Sequence, residues 1–263
     1  SPAMRDSVPL FLPVPDSMPT EFPFGPAPKA EFDEWHEDGA LAPICFIVGV
    51  DLGQARDFST IVIDEVNFAE RVHKQRPKFA PVGTEVRREK ITYHRLRHVE
   101  RIPLGTSYPD VLDRVSTVMG TVPPLPRDPV LVMDATGVGR PVMDLARKHG
   151  LTPLGVTITA GSNETCERDD YRVAKKILAS TVAVALDTER LQVVAVGDHV
   201  GTLRKELQAF RVKVTANQNE SFESWREQDH DDLVLASAMA IWAGERLRDR
   251  YRVNPHWRLF SGI

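Results

Sequence analysis

The sequence predicts an α/β fold: a mixed five-stranded sheet of three antiparallel strands followed by parallel strand–helix–strand units, with helices on its faces. Two observations carry this expectation. From Ile44 to Ile102 the chain offers three apolar or alternating runs, the first two joined by a tight turn. After Pro103 it switches to short apolar runs that alternate with segments of helical periodicity.

The elements follow in order. Residues 44–51 (ICFIVGVD) read as a buried strand, Gly53 to Asp57 as a turn, and Phe58 to Val66 (FSTIVIDEV) as a second strand. Lys90 to Ile102 alternates polar and apolar residues and reads as the third. The stretch 67–89 between them is a long, basic, proline-containing connection, beyond an ordinary hairpin loop. Tyr108 to Gly120 places Val111, Leu112, Val115 and Val118 on one helical face. A strand at Val130–Asp134, a helix at Val138–Gly150 and a strand at Leu154–Thr159 come next. Tyr171 to Asp187 reads as a helix, Leu191 to Val196 as a short strand, Val200 to Phe210 as a helix, and 211–229 as an irregular polar loop. Asp232 to Arg248 is the last helix. No internal repeat is visible.

Composition bounds the function. The 263 residues suit one large domain or two small ones. No apolar run approaches the ~20 residues that span a bilayer, so no membrane partner is expected. Two cysteines, Cys45 and Cys166, are too few for a disulfide framework or a zinc site, which agrees with a reducing cytoplasm. Ser1-Pro2-Ala3 ahead of Met4 reads as a cloning scar, and the chain as a domain cut from a longer protein. Residues 1–45 hold nine of the 20 prolines and eight Asp/Glu against two Lys/Arg, a net of −6. Residues 1–43 are therefore expected to be an extended acidic leader or linker, with a globular domain over 44–250 and a tail over 251–263. Residues 70–101 carry ten Lys/Arg against four Glu. Such a stretch is either a solvated hairpin or a face for a polyanion.

Three acidic signatures point to chemistry. Asp51 and Asp134 each end an apolar strand, and Asp231-Asp232 opens the last helix. Taken singly, each has a plain reading: Asp51 starts a turn, Asp134 caps a helix, Asp232 is an N-cap. Taken together, two strand-end carboxylates and one helix-start carboxylate converge if the two strands are parallel neighbours, because ligands bind beyond the carboxyl ends of such strands. Clustered carboxylates suit Mg²⁺ or Mn²⁺. Two such ions ~3.5–4 Å apart suit phosphodiester hydrolysis. Asp51 is then the bridging ligand, Asp134 and Asp232 hold one ion each, and Asp231 is a further ligand or a cap. Asp57 is a turn residue first and a group behind the ligands next. His230 is a loop residue first and a proton shuttle or phosphate contact next. Arg87, Arg88, Arg172, Lys175 and Lys176 are candidate DNA contacts. Gly137-Val138-Gly139 is a tight strand-to-helix turn rather than a dinucleotide fingerprint, and no P-loop sequence occurs.

Several strings resemble the RNase H-like nuclease domain of phage large terminases, the DNA-packaging motors. They are Val50-Asp51-Leu52-Gly53 with Asp57-Phe58-Ser59-Thr60, Tyr108 to Val115, Met133-Asp134-Ala135-Thr136-Gly137-Val138-Gly139, Val156 to Gly161, and His230-Asp231-Asp232-Leu233-Val234-Leu235-Ala236. Together they cover about residues 44–246. The resemblance implies an RNase H-like sheet and an endonuclease that cuts concatemeric double-stranded viral DNA with Mg²⁺ or Mn²⁺. It maps the acidic triad onto Asp51, Asp134 and Asp232, with Asp231 added. It also implies an ATPase domain, a small terminase and a portal as partners, in the host cell cytoplasm. The family's N-terminal ATPase is missing from this chain.

Three rivals stand beside it. An actin-like ATPase or sugar-kinase half shares the Asp-Leu-Gly and Asp-Ala-Thr-Gly-Val-Gly turns but leaves Asp231-Asp232 unexplained. A junction resolvase or transposase would differ in substrate structure. A nuclease-like docking module would bind no metal.

Overall fold

Strand β2 (Ala42–Asp51) organises the sheet, because its alternating apolar residues bury both faces. Odd positions such as Cys45 and Ile47 join one core, and even positions Phe46, Val48 and Val50 join the other. The computed structural model describes residues 33–38, 42–53, 57–76, 85–124, 128–136, 139–167, 170–216 and 232–253. Around β2 stand β1 (Asp33–Asp38), β3 (Ser59–Arg76), β4 (Glu85–Ile102), β5 (Val130–Asp134), β6 (Leu154–Thr159), β7 (Glu164–Glu167), β8 (Asp170–Ala174) and β9 (Leu191–Val193). Among the described residues these nine strands form one mixed sheet in the order β7-β8-β6-β5-β2-β3-β4-β9, with β1 on the edge of β3. The expected antiparallel β2–β3–β4 set and the parallel β5 and β6 are present.

Helices α1 (Tyr108–Thr121) and α2 (Gly139–Lys148) cover one face; α3 (Lys175–Asp187), α4 (Val200–Ala216) and α5 (Asp232–Val253) cover the other. Ser107 caps α1 by accepting the Asp110 N–H, and Gly150, at φ 77°, ends the turn after α2. Helix α5 is buried on all sides from Leu233 to Ala243, as befits the central helix of a layer. Its small residues permit close approach: a Cβ on Gly49 would stand 2.4 Å from the Ala236 carbonyl oxygen.

Four expectations change. Among the described residues the sheet has nine strands rather than five: β1, β7 and β8 were not expected, and the short strand expected at 191–196 is β9, joined to β4. Stretch 67–89 is no loop: β3 and β4 stay paired to Gln75↔Glu85, forming a long arm, with only 77–84 outside the described residues. Tyr171 to Ala174 belongs to strand β8 (Asp170–Ala174), so the helix begins at Lys175. Part of the leader is ordered as β1, which pairs with β3 from Asp33↔Arg76 to Asp38↔Arg71.

A charged group sits deep in the α5 layer. His94 of β4 is fully buried, with Nδ1 2.6 Å from Asp64 Oδ2 and Nε2 3.5 Å from Glu245 Oε1. Arg190 bonds both Glu245 and the Thr92 carbonyl. Burial alone would lower the imidazole pKa, but the Asp64 charge and hydrogen bond, with Glu245 behind them, raise it to about 9. Burial would likewise raise Glu245, yet His94 and Arg190 hold it down at about 2. Two cations and two carboxylates thus tie α5 to the sheet. No helix among the described residues is long and apolar enough to cross a membrane.

Candidate active site

Pairing register brings the strand-end aspartates together. Strands β2 and β5 are parallel neighbours, with Gly49↔Val132 and Val50↔Met133. The next step along both strands is Asp51 beside Asp134, at the carboxyl ends of two strands that are parallel neighbours. Neighbouring strands lie ~4.8 Å apart. Both side chains are buried, Asp51 at 5% and Asp134 at 2% exposure. They share the face of Gly49 and Val132, which is the α5 face.

The row continues across the sheet. Asp51 pairs with Thr60, and Thr60 pairs with Arg101. Thr60 Oγ1 donates to the Asp232 backbone carbonyl at 3.1 Å, which sets the first turn of α5 over this row. Arg101 Nη2 lies 2.6 Å from Glu206 Oε1 and 3.9 Å from Asp232 Oδ2. The other oxygen of Glu206 accepts the Val234 N–H at 3.3 Å, one of the donors a helix start leaves over. Phe58 supports the guanidinium from one side, its ring centre 5.0 Å from Arg101 Cζ. Asp134 Oδ1 accepts both the backbone N–H of Thr136, at 2.7 Å, and the Thr136 hydroxyl. Thr136 Oγ1 in turn accepts the Ile158 N–H at 2.8 Å, so the Asp134 carboxylate is oriented through β6.

The remaining sequence candidates scatter. Asp57 is exposed and lines a cleft with Gly53, Ser59, Thr106 and Tyr108. Arg172 is exposed in mid-β8. Lys175 and Lys176 open α3 beyond the carboxyl end of β8, a strand parallel to β6 and on the same edge as Asp134. Arg87 and Arg88 are exposed on the β4 arm, away from the aspartate row. Asp231 and His230 lie outside the described residues.

The donor set is hard carboxylate oxygen, which fits Mg²⁺ or Mn²⁺ rather than a thiophilic ion. Among the described residues, no three His, Cys, Asp or Glu side chains stand close enough together to hold one ion as placed. Asp51 and Asp134 are the pair that register makes adjacent, while the Asp232 carboxylate faces Arg101. Sequence reasoning missed Thr60, Arg101 and Glu206. Thr60 follows from the hairpin register once Asp51 is chosen. Glu206 carries no local signal, because only the packing of α4 against α5 brings it to the helix start. No protein-family model, curated protein or solved structure matches this chain.

Proposed function

We propose that this chain is a metal-dependent DNA endonuclease with an RNase H-like core, the nuclease domain of a viral DNA-packaging terminase. The observation that supports it is the aspartate row: two buried carboxylates at adjacent carboxyl ends of parallel strands, with the first turn of α5 laid over them. Two carboxylates buried side by side repel each other, and a divalent cation between them removes that cost. Asp51 and Asp134 would hold the cation, with Asp232 and Asp231 supplying ligands from the helix start. A bound Mg²⁺ or Mn²⁺ would polarise the phosphoryl oxygens and an attacking water.

The chain's own residues do the rest. Thr136 orients Asp134, and Thr60 sets the height of α5 above Asp51. Arg101 and Glu206 fix the Asp232 turn. Lys175 and Lys176, on the same sheet edge, would meet phosphates of the duplex. The ATPase domain, small terminase and portal partners belong to this same reading.

The test is plasmid cleavage. Purified protein with Mn²⁺ or Mg²⁺ is expected to nick and then linearise supercoiled DNA, and EDTA to stop it. Asp51→Ala and Asp134→Ala are expected to abolish cutting while the far-UV spectrum stays unchanged. Equal cleavage by the purified Asp51→Ala protein would sink the mechanism. ATP turnover without DNA cleavage would instead favour the kinase-like alternative.

A further inference from the structure

Strands β3 and β4 are 18 residues each, and only their proximal halves belong to the two large cores. A small cluster of Ala69, Ile91 and Tyr93 closes the base of the arm. Beyond it, Arg71, Val72 and His73 are half-buried and Arg87 and Arg88 are exposed. The distal segments Glu70–Arg76 and Glu85–Lys90 contain six Lys/Arg against three Glu, a net of +3.

Strand β1 lies along the edge of this arm, on the side of β3 opposite β4 and in line with β2. Its sequence, DEWHED, has four carboxylates in six residues and no Lys or Arg. The register sets acid beside base: Asp33↔Arg76 and Asp38↔Arg71. Glu37↔Val72↔Arg88 puts a further acid and base in one row across the arm. The strand's charge of −4 more than offsets the +3 of the arm.

We propose that the β3–β4 arm docks the phosphate backbone of double-stranded DNA, and that β1 is a tethered acidic competitor for that surface. The choice of DNA as the polyanion rests on the nuclease reading. A tethered strand acts at high effective concentration, so it discourages weak, unspecific contacts. A duplex supplies one negative charge per ~1.7 Å of axis and releases counterions when Lys and Arg meet it, which lets it compete at low salt. The arm would thereby be screened until DNA is delivered at high local concentration.

The test is binding of the full chain to a fluorescent 20-base-pair duplex in EDTA, across a salt series. The neutral strand variant Asp33→Asn/Glu34→Gln/Glu37→Gln/Asp38→Asn is expected to bind at least tenfold tighter at 50 mM salt. Its dependence of log K on log salt is expected to steepen by about two, as roughly two more phosphates are met. Arg71→Glu/Arg87→Glu/Arg88→Glu is expected to weaken binding at least tenfold, and this second variant keeps the test alive if the first fails to fold. Unchanged affinity and slope in the neutral strand variant, or parental binding by the triple Glu variant, overturns the proposal. EDTA separates this from the nuclease reading: DNA binding as described without Mn²⁺-dependent cutting sinks only the latter. Metal-dependent cutting with unchanged binding in both variants sinks only the former.

Discussion

Thr60 donates its hydroxyl to the backbone carbonyl of Asp232, 172 residues further along the chain, at 3.1 Å. The bond links the register partner of Asp51 to the first residue of α5. Thr60→Val keeps the shape and removes the donor. It is expected to cost about 1 kcal/mol in urea unfolding. Cleavage is expected to fall further, by roughly tenfold or more, because small displacements of reacting groups are costly. Thr60→Ser, which restores the hydroxyl, is expected to recover most of the cleavage. Loss of cleavage in the Ser variant with parental cleavage in the Val variant would show that the methyl packing matters and the bond does not.

Arg101 and Glu206 make the second tie to the helix start. Arg101 sits between the Glu206 and Asp232 carboxylates, which are 10% and 14% exposed at their side chains. Arg101→Ala leaves those two acids facing each other with reduced solvation. The expected loss is about 2–4 kcal/mol in a denaturant titration, somewhat below that of a fully buried pair. Adding Glu206→Gln is expected to return part of it, so the double-mutant cycle should give a coupling energy above about 1 kcal/mol. Additive losses would mean that Arg101 acts through Phe58 and Asp232 and not through Glu206.

Much of this arrangement was legible in the sequence, and the gaps have physical causes. Strands β2 and β5 are apolar runs buried on both faces and β6 is buried over Leu154–Val156, so hydropathy finds them, and the aspartates that end two of them stand out. The arm was missed because its distal residues are charged on both faces and its pairing is long-range, which no local window contains. Strand β8 was read as helix because Val173 and Ile177 fit a helical spacing. The chain is in fact extended through Ala174, at φ −64° and ψ 134°, before α3 starts. At the site, the carboxylates announce themselves by position, whereas Arg101 and Glu206 acquire meaning only when α4 and α5 pack over the sheet.

The buried His94 cluster predicts a particular stability profile. Its pKa of about 9 lies above the unfolded value of 6.5, so the folded protein binds more protons between those limits. The stabilisation is complete below pH 6.5 and is lost as pH rises through about 9. Glu245, held at about 2 against a usual 4.5, works in the opposite sense: its contribution is present above pH 4.5 and lost as pH falls towards 2. The melting temperature should therefore decline from pH 6.5 to 9, with Asp64, Glu245 and Arg190 fixed around the ring. His94→Gln is expected to melt lower at pH 6.5 and to flatten that alkaline limb. Parallel curves for parent and variant would show that other groups set the slope.

Gly49 offers the sharpest test of how α5 reaches the aspartate row. An added Cβ would meet the Ala236 carbonyl oxygen at 2.4 Å and the Ala240 Cβ at 3.1 Å. The first contact is with helix backbone, which no rotamer change can relieve, so Gly49→Ala must push α5 outward. The expected cost is about 1–3 kcal/mol, read as a lower urea midpoint. Gly49 is two residues from Asp51 on the same face, so the shift also raises the helix start away from Asp51 and Asp134. Cleavage should fall more than stability does. Ala240→Gly, which removes only the softer contact, is not expected to rescue either. A Gly49→Ala protein that cuts DNA at the parental rate would mean that the height of α5 above Asp51 does not set the chemistry.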